Sequence, residues 1–131
     1  MVTLERVDHF VMPVSDLHKI ADFYVRVLGM TKVVIGDGRV ALHFGQQKIN
    51  LQPAGWTDGM RAPNHLPASQ DFCLITTTPI DAVVAHLTAQ GVKIVAGPGP
   101  RVGALGTMRS VYFEDPDYNL VEISNYAEGG G

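Results

Sequence analysis

The order of apolar and polar positions along this chain runs through one cycle and then repeats it. VDHFVMPVSD is followed by LHKIADFYVRVLGM, TKVVIGD, VALHFG and KINLQPAG. SQDFCLITTT is followed by PIDAVVAHLTAQG, VKIVAGP, MRSVYFEDPD and NLVEISNY. In the first strand Phe10 and Met12 alternate with Val7, His9 and Val11, apolar on both sets, as expected of a strand covered on both faces. The period then changes to that of a helix. Ile20, Phe23, Tyr24, Val27 and Leu28 form one stripe, with Ser15 or Asp16 to cap it and Gly29 to stop it.

The second copy follows the same grammar. Phe72 and Leu74 alternate with Asp71, Cys73 and Ile75. Thr78 is expected to cap a helix in which Pro79 is the first residue and Asp81 completes the capping arrangement. Its stripe is Ile80, Val83, Val84 and Leu87, and Gly91 ends it. Three strands follow the first helix: Val33–Ile35, Val40–Phe44 and Ile49–Gln52, joined at Gly36-Asp37-Gly38 and Gly45-Gln46-Gln47. In the second copy a longer Gly97–Gly106 loop and the turn Asp115-Pro116-Asp117 replace those connections.

The predicted fold class is therefore α+β: two βαβββ modules, residues 4–53 and 69–126, in a cupped mixed sheet with helices outside. Residues 54–68, rich in Pro, Gly and Ala, read as the linker between modules of a single domain. Neither module can bury its apolar surface alone, so closure within the chain or in a homodimer is expected.

Strand parity selects the candidate chemistry. With Phe10 and Met12 against the first helix, His9 points to the cupped face, and Asp71 does so when Phe72 and Leu74 face the second helix. Glu122 lies inside the short strand LVEIS, where a carboxylate without a partner is costly. Aligning KINLQ with YNLVE, one residue shorter in the first turn, sets Gln52 opposite Glu122 by repeat symmetry. An imidazole, two carboxylates and an amide oxygen suit a divalent ion such as Zn, Ni, Mn or Fe. Such a site leaves positions open for substrate oxygens, and Glu122 or Asp71 is the candidate proton carrier.

Other residues carry weaker signals. His65, in the linker, is placed to cap the cleft, and Arg101, in GPGPRVGALG, to read an anionic substrate group. That glycine-rich stretch lacks GxxxxGK[ST] and is no phosphate loop. Cys73 has inward parity, as a nucleophile or a small buried hydrophobe. Tyr118 and Trp56 are candidate pocket walls, His18 and His86 are expected to be solvated, and His43 to be structural.

Composition narrows the classes. A chain of 131 residues with 46% hydrophobic and 18% charged content is of ordinary globular type. A net charge of -3 with scattered Lys and Arg argues against nucleic acid as a partner. No apolar run approaches the ~20 residues that span a bilayer, and the N-terminal residues do not read as a secretory signal. The single cysteine allows no internal disulfide, which sets a reducing cytoplasm as the expectation. The terminal Gly129–Gly131 run reads as a tail.

The segments VDHFVMPVSDLHKIADFYVRVLGM and SVYFEDPDYNLVEISNY together resemble the vicinal oxygen chelate family, over residues 4–126. That family includes glyoxalase I, fosfomycin-resistance thiol transferases, extradiol dioxygenases and bleomycin-binding proteins. Within it the chain most resembles the small glyoxalase-domain proteins of uncharacterised or virulence-associated type. The resemblance implies that metal ligands fall on His9, Gln52, Asp71 and Glu122. Asp71 is the departure, because the family more often has histidine there, and this weakens the dioxygenase reading. A fosfomycin-type phosphonate site would draw on Arg101, Arg109 and Ser110. The expectation is a metal-dependent glyoxalase-like enzyme of lyase or isomerase type, acting on a small molecule. The alternatives are a non-enzymatic drug- or metabolite-binding resistance protein, a thiol transferase and an extradiol dioxygenase.

Overall fold

The computed structural model describes residues 1–56 and 59–127. The Gly129–Gly131 run lies outside the described residues. Contacts divide the chain into two units, Met1–Ser69 and Gln70–Gly131.

In the first unit β1 (His9–Val14) leads into α1 (Leu17–Leu28), then β2 (Thr31–Ile35), β3 (Arg39–Phe44) and β4 (Gln47–Pro53). The sheet order is β1-β4-β3-β2, with β1 parallel to β4 and the other pairs antiparallel. The second unit repeats this: β5 (Asp71–Ile75), α2 (Ile80–Ala89), β6 (Ile94–Gly103), β7 (Gly106–Glu114) and β8 (Leu120–Tyr126), in the order β5-β8-β7-β6. The α+β class and the paired βαβββ modules thus stand, as two four-stranded mixed sheets.

Each helix lies on one face of its own sheet, and that face holds the core. Met12, Val14, Ile49, Leu51, Val40 and Leu42 are at most 4% exposed beneath Ile20, Tyr24 and Val27 of α1. Val111, Phe113, Val121 and Ile123 serve α2 in the same way with Ile80, Val83 and Leu87. Lys32, on the helix side of β2, reaches Asp22 of α1 at 3.3 Å.

The two helices are capped differently. Asp16 accepts from the Lys19 N–H at 3.1 Å, and Gly29 takes the left-handed conformation that ends α1. For α2 neither Thr78 nor Asp81 caps. Pro79 is the N-cap without a side-chain bond, and the Ile80 N–H donates instead to Asn125 Oδ1 at 2.8 Å. The Asn125 amide nitrogen donates in turn to the Thr76 and Thr78 carbonyls at 2.7 and 2.8 Å. A strand side chain from the far end of the module thus does the work expected of a local cap, because it satisfies three backbone groups at once.

The expected Gly97–Gly106 loop is mostly strand. β6 runs on to Gly103 and pairs with β7 through register shifts after Ile94 and Ala96, with a cis bond at Gly97–Pro98. The bulges let a Gly- and Pro-rich segment stay in the ladder. Gly97 is needed there, since its φ of +82° favours glycine and a Cβ would meet the Ser110 backbone carbonyl. The Asp115-Pro116-Asp117 turn forms as expected, with Asp115 Oδ1 accepting from the N–H groups of Asp117 and Asn119. Among the described residues no helix is long and apolar enough to cross a membrane.

Candidate functional site

With one face of each sheet occupied by a helix, parity sends every other side chain to the opposite, open face. In the first module the register gives three rows. His9, Lys48, His43 and Thr31 form the first; Val11, Asn50, Ala41 and Val33 the second; Pro13 and Gln52 belong to the third. His43 is therefore exposed rather than structural.

Asp8 grips His9, with Nδ1 at 2.7 Å from Asp8 Oδ2. The tautomer that donates Nδ1–H to the carboxylate leaves the Nε2 lone pair free, the arrangement found around metal-binding histidines. This hydrogen bond, helped by the charges of His9, Arg6 and Lys48, holds Asp8 below the usual aspartate range against the opposing effect of desolvation.

The register departs from the sequence expectation at Gln52. Gln52 pairs with Pro13, four positions beyond His9, or roughly 13 Å along the strand. Asn50 pairs with Val11, two positions beyond His9. In the second module Glu122 pairs with Cys73, two positions beyond Asp71. The counterpart of Glu122 is thus Asn50, at a diagonal of about 8 Å in each module, while Gln52 corresponds to Ser124. The alignment that shortened the first turn by one residue misplaced it. The ungapped match of Ile49-Asn50-Leu51 with Val121-Glu122-Ile123 carried the signal. Gln52 Oε1 and His65 Nε2 are buried atoms with no hydrogen-bond partner among the described residues.

The open face of the second module carries a connected polar network. Ser124 donates to Glu122 Oε2 at 3.2 Å, and its hydroxyl lies 2.6 Å from that of Ser110 and 3.2 Å from the Cys73 thiol. Tyr112 lies across the ladder from Glu122 and carries the Arg101 guanidinium 5.2 Å above its ring. Desolvation first, then the neighbouring Glu122 carboxylate, pushes the Tyr112 phenol up against the opposing pull of Arg101. Desolvation also raises the Cys73 thiol, with Glu122 adding to it and Ser124 opposing. Cys73 itself is exposed rather than buried as a small hydrophobe. Ser110, Ser124 and Tyr112 were missed as a group because only the β7–β8 register brings them together.

Not every candidate joins this face. Arg109 points to the helix side, where it meets Asp81 at 3.0 Å, so Arg101, Arg109 and Ser110 form no common anion site. Tyr118 stands 72% exposed in the β7–β8 turn with positive φ. Trp56 borders a cavity of about 500 Å3 on the first module's open face. Among the described residues no group of three or more His, Cys, Asp or Glu side chains gathers to hold a metal ion. Each module supplies a pair: His9 with Asn50, and Asp71 with Glu122.

Comparison with known proteins agrees with this architecture. Residues 6–123 match the Glyoxalase/Bleomycin resistance protein/Dioxygenase superfamily. The chain is 45% identical over 123 residues to the virulence protein STM3117 of Salmonella typhimurium, covering 94% of this chain and 85% of that one. It is 42% identical to the glyoxalase domain-containing protein RDO1 of Mycosarcoma maydis, covering 97% and 72%. An integron cassette protein from the mobile metagenome of V. cholerae superposes with a TM-score of 0.94 at 43% identity, covering 97% of this chain and 99% of that one. With two matched βαβββ modules and a match over nearly its whole length, the chain belongs to the Glyoxalase/Bleomycin resistance protein/Dioxygenase superfamily.

Proposed function

We propose that the protein is a divalent-metal-dependent, glyoxalase-like enzyme that acts on a small molecule bound through neighbouring oxygens, and that it works as a homodimer. The observation that carries this reading is the matched register of the two open faces, with His9 Nδ1 anchored by Asp8. His9 and an amide oxygen of the first module, with Asp71 and Glu122 of the second, make a donor set suited to Zn, Ni, Mn or Fe. The ladder favours Asn50 as that amide over Gln52. When bound, such an ion polarises substrate oxygens and stabilises negative charge as it develops.

The chain's own groups then divide the remaining tasks. Ser124 donates to Glu122 and holds it in one orientation, as hydrogen bonds to a ligating carboxylate do, with Tyr112 beside it across the ladder. Asp71, exposed and without a side-chain hydrogen bond among the described residues, takes and returns a proton where it does not ligate the ion. Arg101, held over Tyr112, offers N–H donors at the rim.

Metal titration of the chelator-stripped protein tests this. Zn, Ni or Mn at a hundredfold excess over Kd should add about 2.7 kcal/mol to unfolding stability, read as a rise in Tm. His9→Ala and Glu122→Gln should each remove most of that rise. A Tm indifferent to all three metals and to chelation sinks the reading.

A second reading, a non-enzymatic binder of an apolar metabolite or drug, draws on Ile35 and Ile75, which stand 45% and 54% exposed on the open faces. It requires affinity that survives both chelation and His9→Ala.

A further inference from the structure

Asp71 is the first residue of β5, which stands at the end of its sheet beside β8. A strand end of that kind frays unless it is tied down, and a side chain on it then has no fixed position.

Two buried polar residues tie this one. Asn119 is 0% exposed and Asp115 3%. Asp115 Oδ1 accepts from the N–H groups of Asp117 and Asn119 at 2.9 and 3.0 Å, and its Oδ2 from the Asn119 amide nitrogen at 2.8 Å. A carboxylate only accepts, so it draws the Asn119 NH2 toward itself and turns the amide oxygen the other way. That oxygen accepts from the Gln70 N–H at 3.0 Å. The Gln70 carbonyl accepts in turn from the Leu120 N–H, also at 3.0 Å. Gln70 is therefore gripped at both of its backbone groups, and Asp71 is the next residue.

The turn does not need this reach for its own closure. Backbone bonds from the Tyr118 N–H to the Asp115 carbonyl, at 2.9 Å, and from the Asp115 N–H to the Asn119 carbonyl, at 3.1 Å, already close it. The first module secures the same station differently. There Asp8, one residue before His9 as Gln70 is before Asp71, holds the imidazole through its own carboxylate at 2.7 Å.

We infer that Asn119, backed by Asp115, is the positioning residue for Asp71. It fixes the start of β5 against β8, which carries Glu122 three residues after Asn119, so the two carboxylates keep the spacing that a shared ion requires. This role rests on the reading that Asp71 and Glu122 serve a divalent ion, and it adds the residue that sets their spacing.

The Zn affinity of the full chain tests it, by competition with a chromophoric chelator, with folding of each metal-free variant checked by circular dichroism. Asn119→Ala should weaken Zn about tenfold, the lower end of what outer-layer partners of a ligand contribute. Because that change also strips Asp115 of a donor, Gln70→Pro is the finer probe. It deletes the N–H that Asn119 holds and leaves Asp115 and Asn119 in place, at a strand start where proline is tolerated. Gln70→Pro should show a similar loss, and Gln70→Ala, which keeps the N–H, should bind as the wild type does. In an Asp71→Asn background Gln70→Pro should cost no more than about a further twofold, since both changes act on one carboxylate. A clamp that served stability alone would not depend on Asp71 in this way. Wild-type affinity in both Asn119→Ala and Gln70→Pro overturns the inference while leaving the metal reading intact. So does a loss as large in Gln70→Ala, or one undiminished in the Asp71→Asn background. A wild type that binds no Zn removes the metal reading itself, and this role with it.

Discussion

The two modules share a ladder and differ in charge. The open face of the first carries His9, Lys48 and Arg39 around two amides. At the stations of His9 and Asn50 the second carries Asp71 and Glu122, with Arg101 drawn onto Tyr112. The faces beneath the helices, by contrast, are alike at their centres: Val40, Leu42, Ile49 and Leu51 in the first and Val111, Phe113, Val121 and Ile123 in the second are nearly unexposed. Close packing constrains volume and polarity on the covered faces, while the uncovered faces are free to take whatever groups a ligand demands. The duplicated scaffold therefore presents a cationic, amide-lined surface in one half and an acidic, hydroxyl-lined one in the other.

The comparison breaks most forcefully at the cores. Tyr24→Ala in the first module and Phe113→Ala in the second each empty a fully buried site and should cost about 3–5 kcal/mol, measured by denaturant unfolding. Similar losses would confirm that the two helix-covered layers are equivalent; a loss below about 1 kcal/mol in one would show that its layer is not a core.

Capping distinguishes the modules next. Asn125→Ala strips α2 of an acceptor and two carbonyls of their donor, and should destabilise by about 2–3 kcal/mol. Asp16→Ala removes one local bond and should cost about 1 kcal/mol. If the two variants melt alike, the tertiary cap has no advantage over the local one.

The smallest effect sits at Asp8. Its folded pKa is depressed chiefly by His9, so its contribution is present above the unfolded aspartate range and fades as pH falls through the lower, folded value. Asp8→Asn should therefore lower Tm slightly at neutral pH and not at all in strong acid. A difference that grew toward low pH would reverse the assignment.

Much of the framework was legible along the chain. The switch from period two to period 3.6, with Asp16 before α1 and Gly29 after it, located β1 and α1 and identified their covered faces. These are local signals, carried by residues that interact with near neighbours. The misreadings were non-local. Thr78 was a reasonable cap until Asn125 took its place from another strand. Gly and Pro in the Gly97–Gly106 stretch read as loop because the bulges that keep it in the sheet depend on β7. Gln52 came from aligning KINLQ with YNLVE; Asn50 has the same parity, and only pairing with β1 tells which stands beside His9.

By itself the sequence determined which segments become strand or helix and which side chains turn away from the helices, since alternation and helical spacing follow from backbone geometry alone. Tertiary structure decided the register, and with it that Glu122, Tyr112, Ser124, Ser110 and Cys73 form one network while Arg109 leaves for Asp81. Parity is a property of one strand, whereas adjacency exists only between strands, so the identity of a side chain's neighbours is fixed when the ladders close.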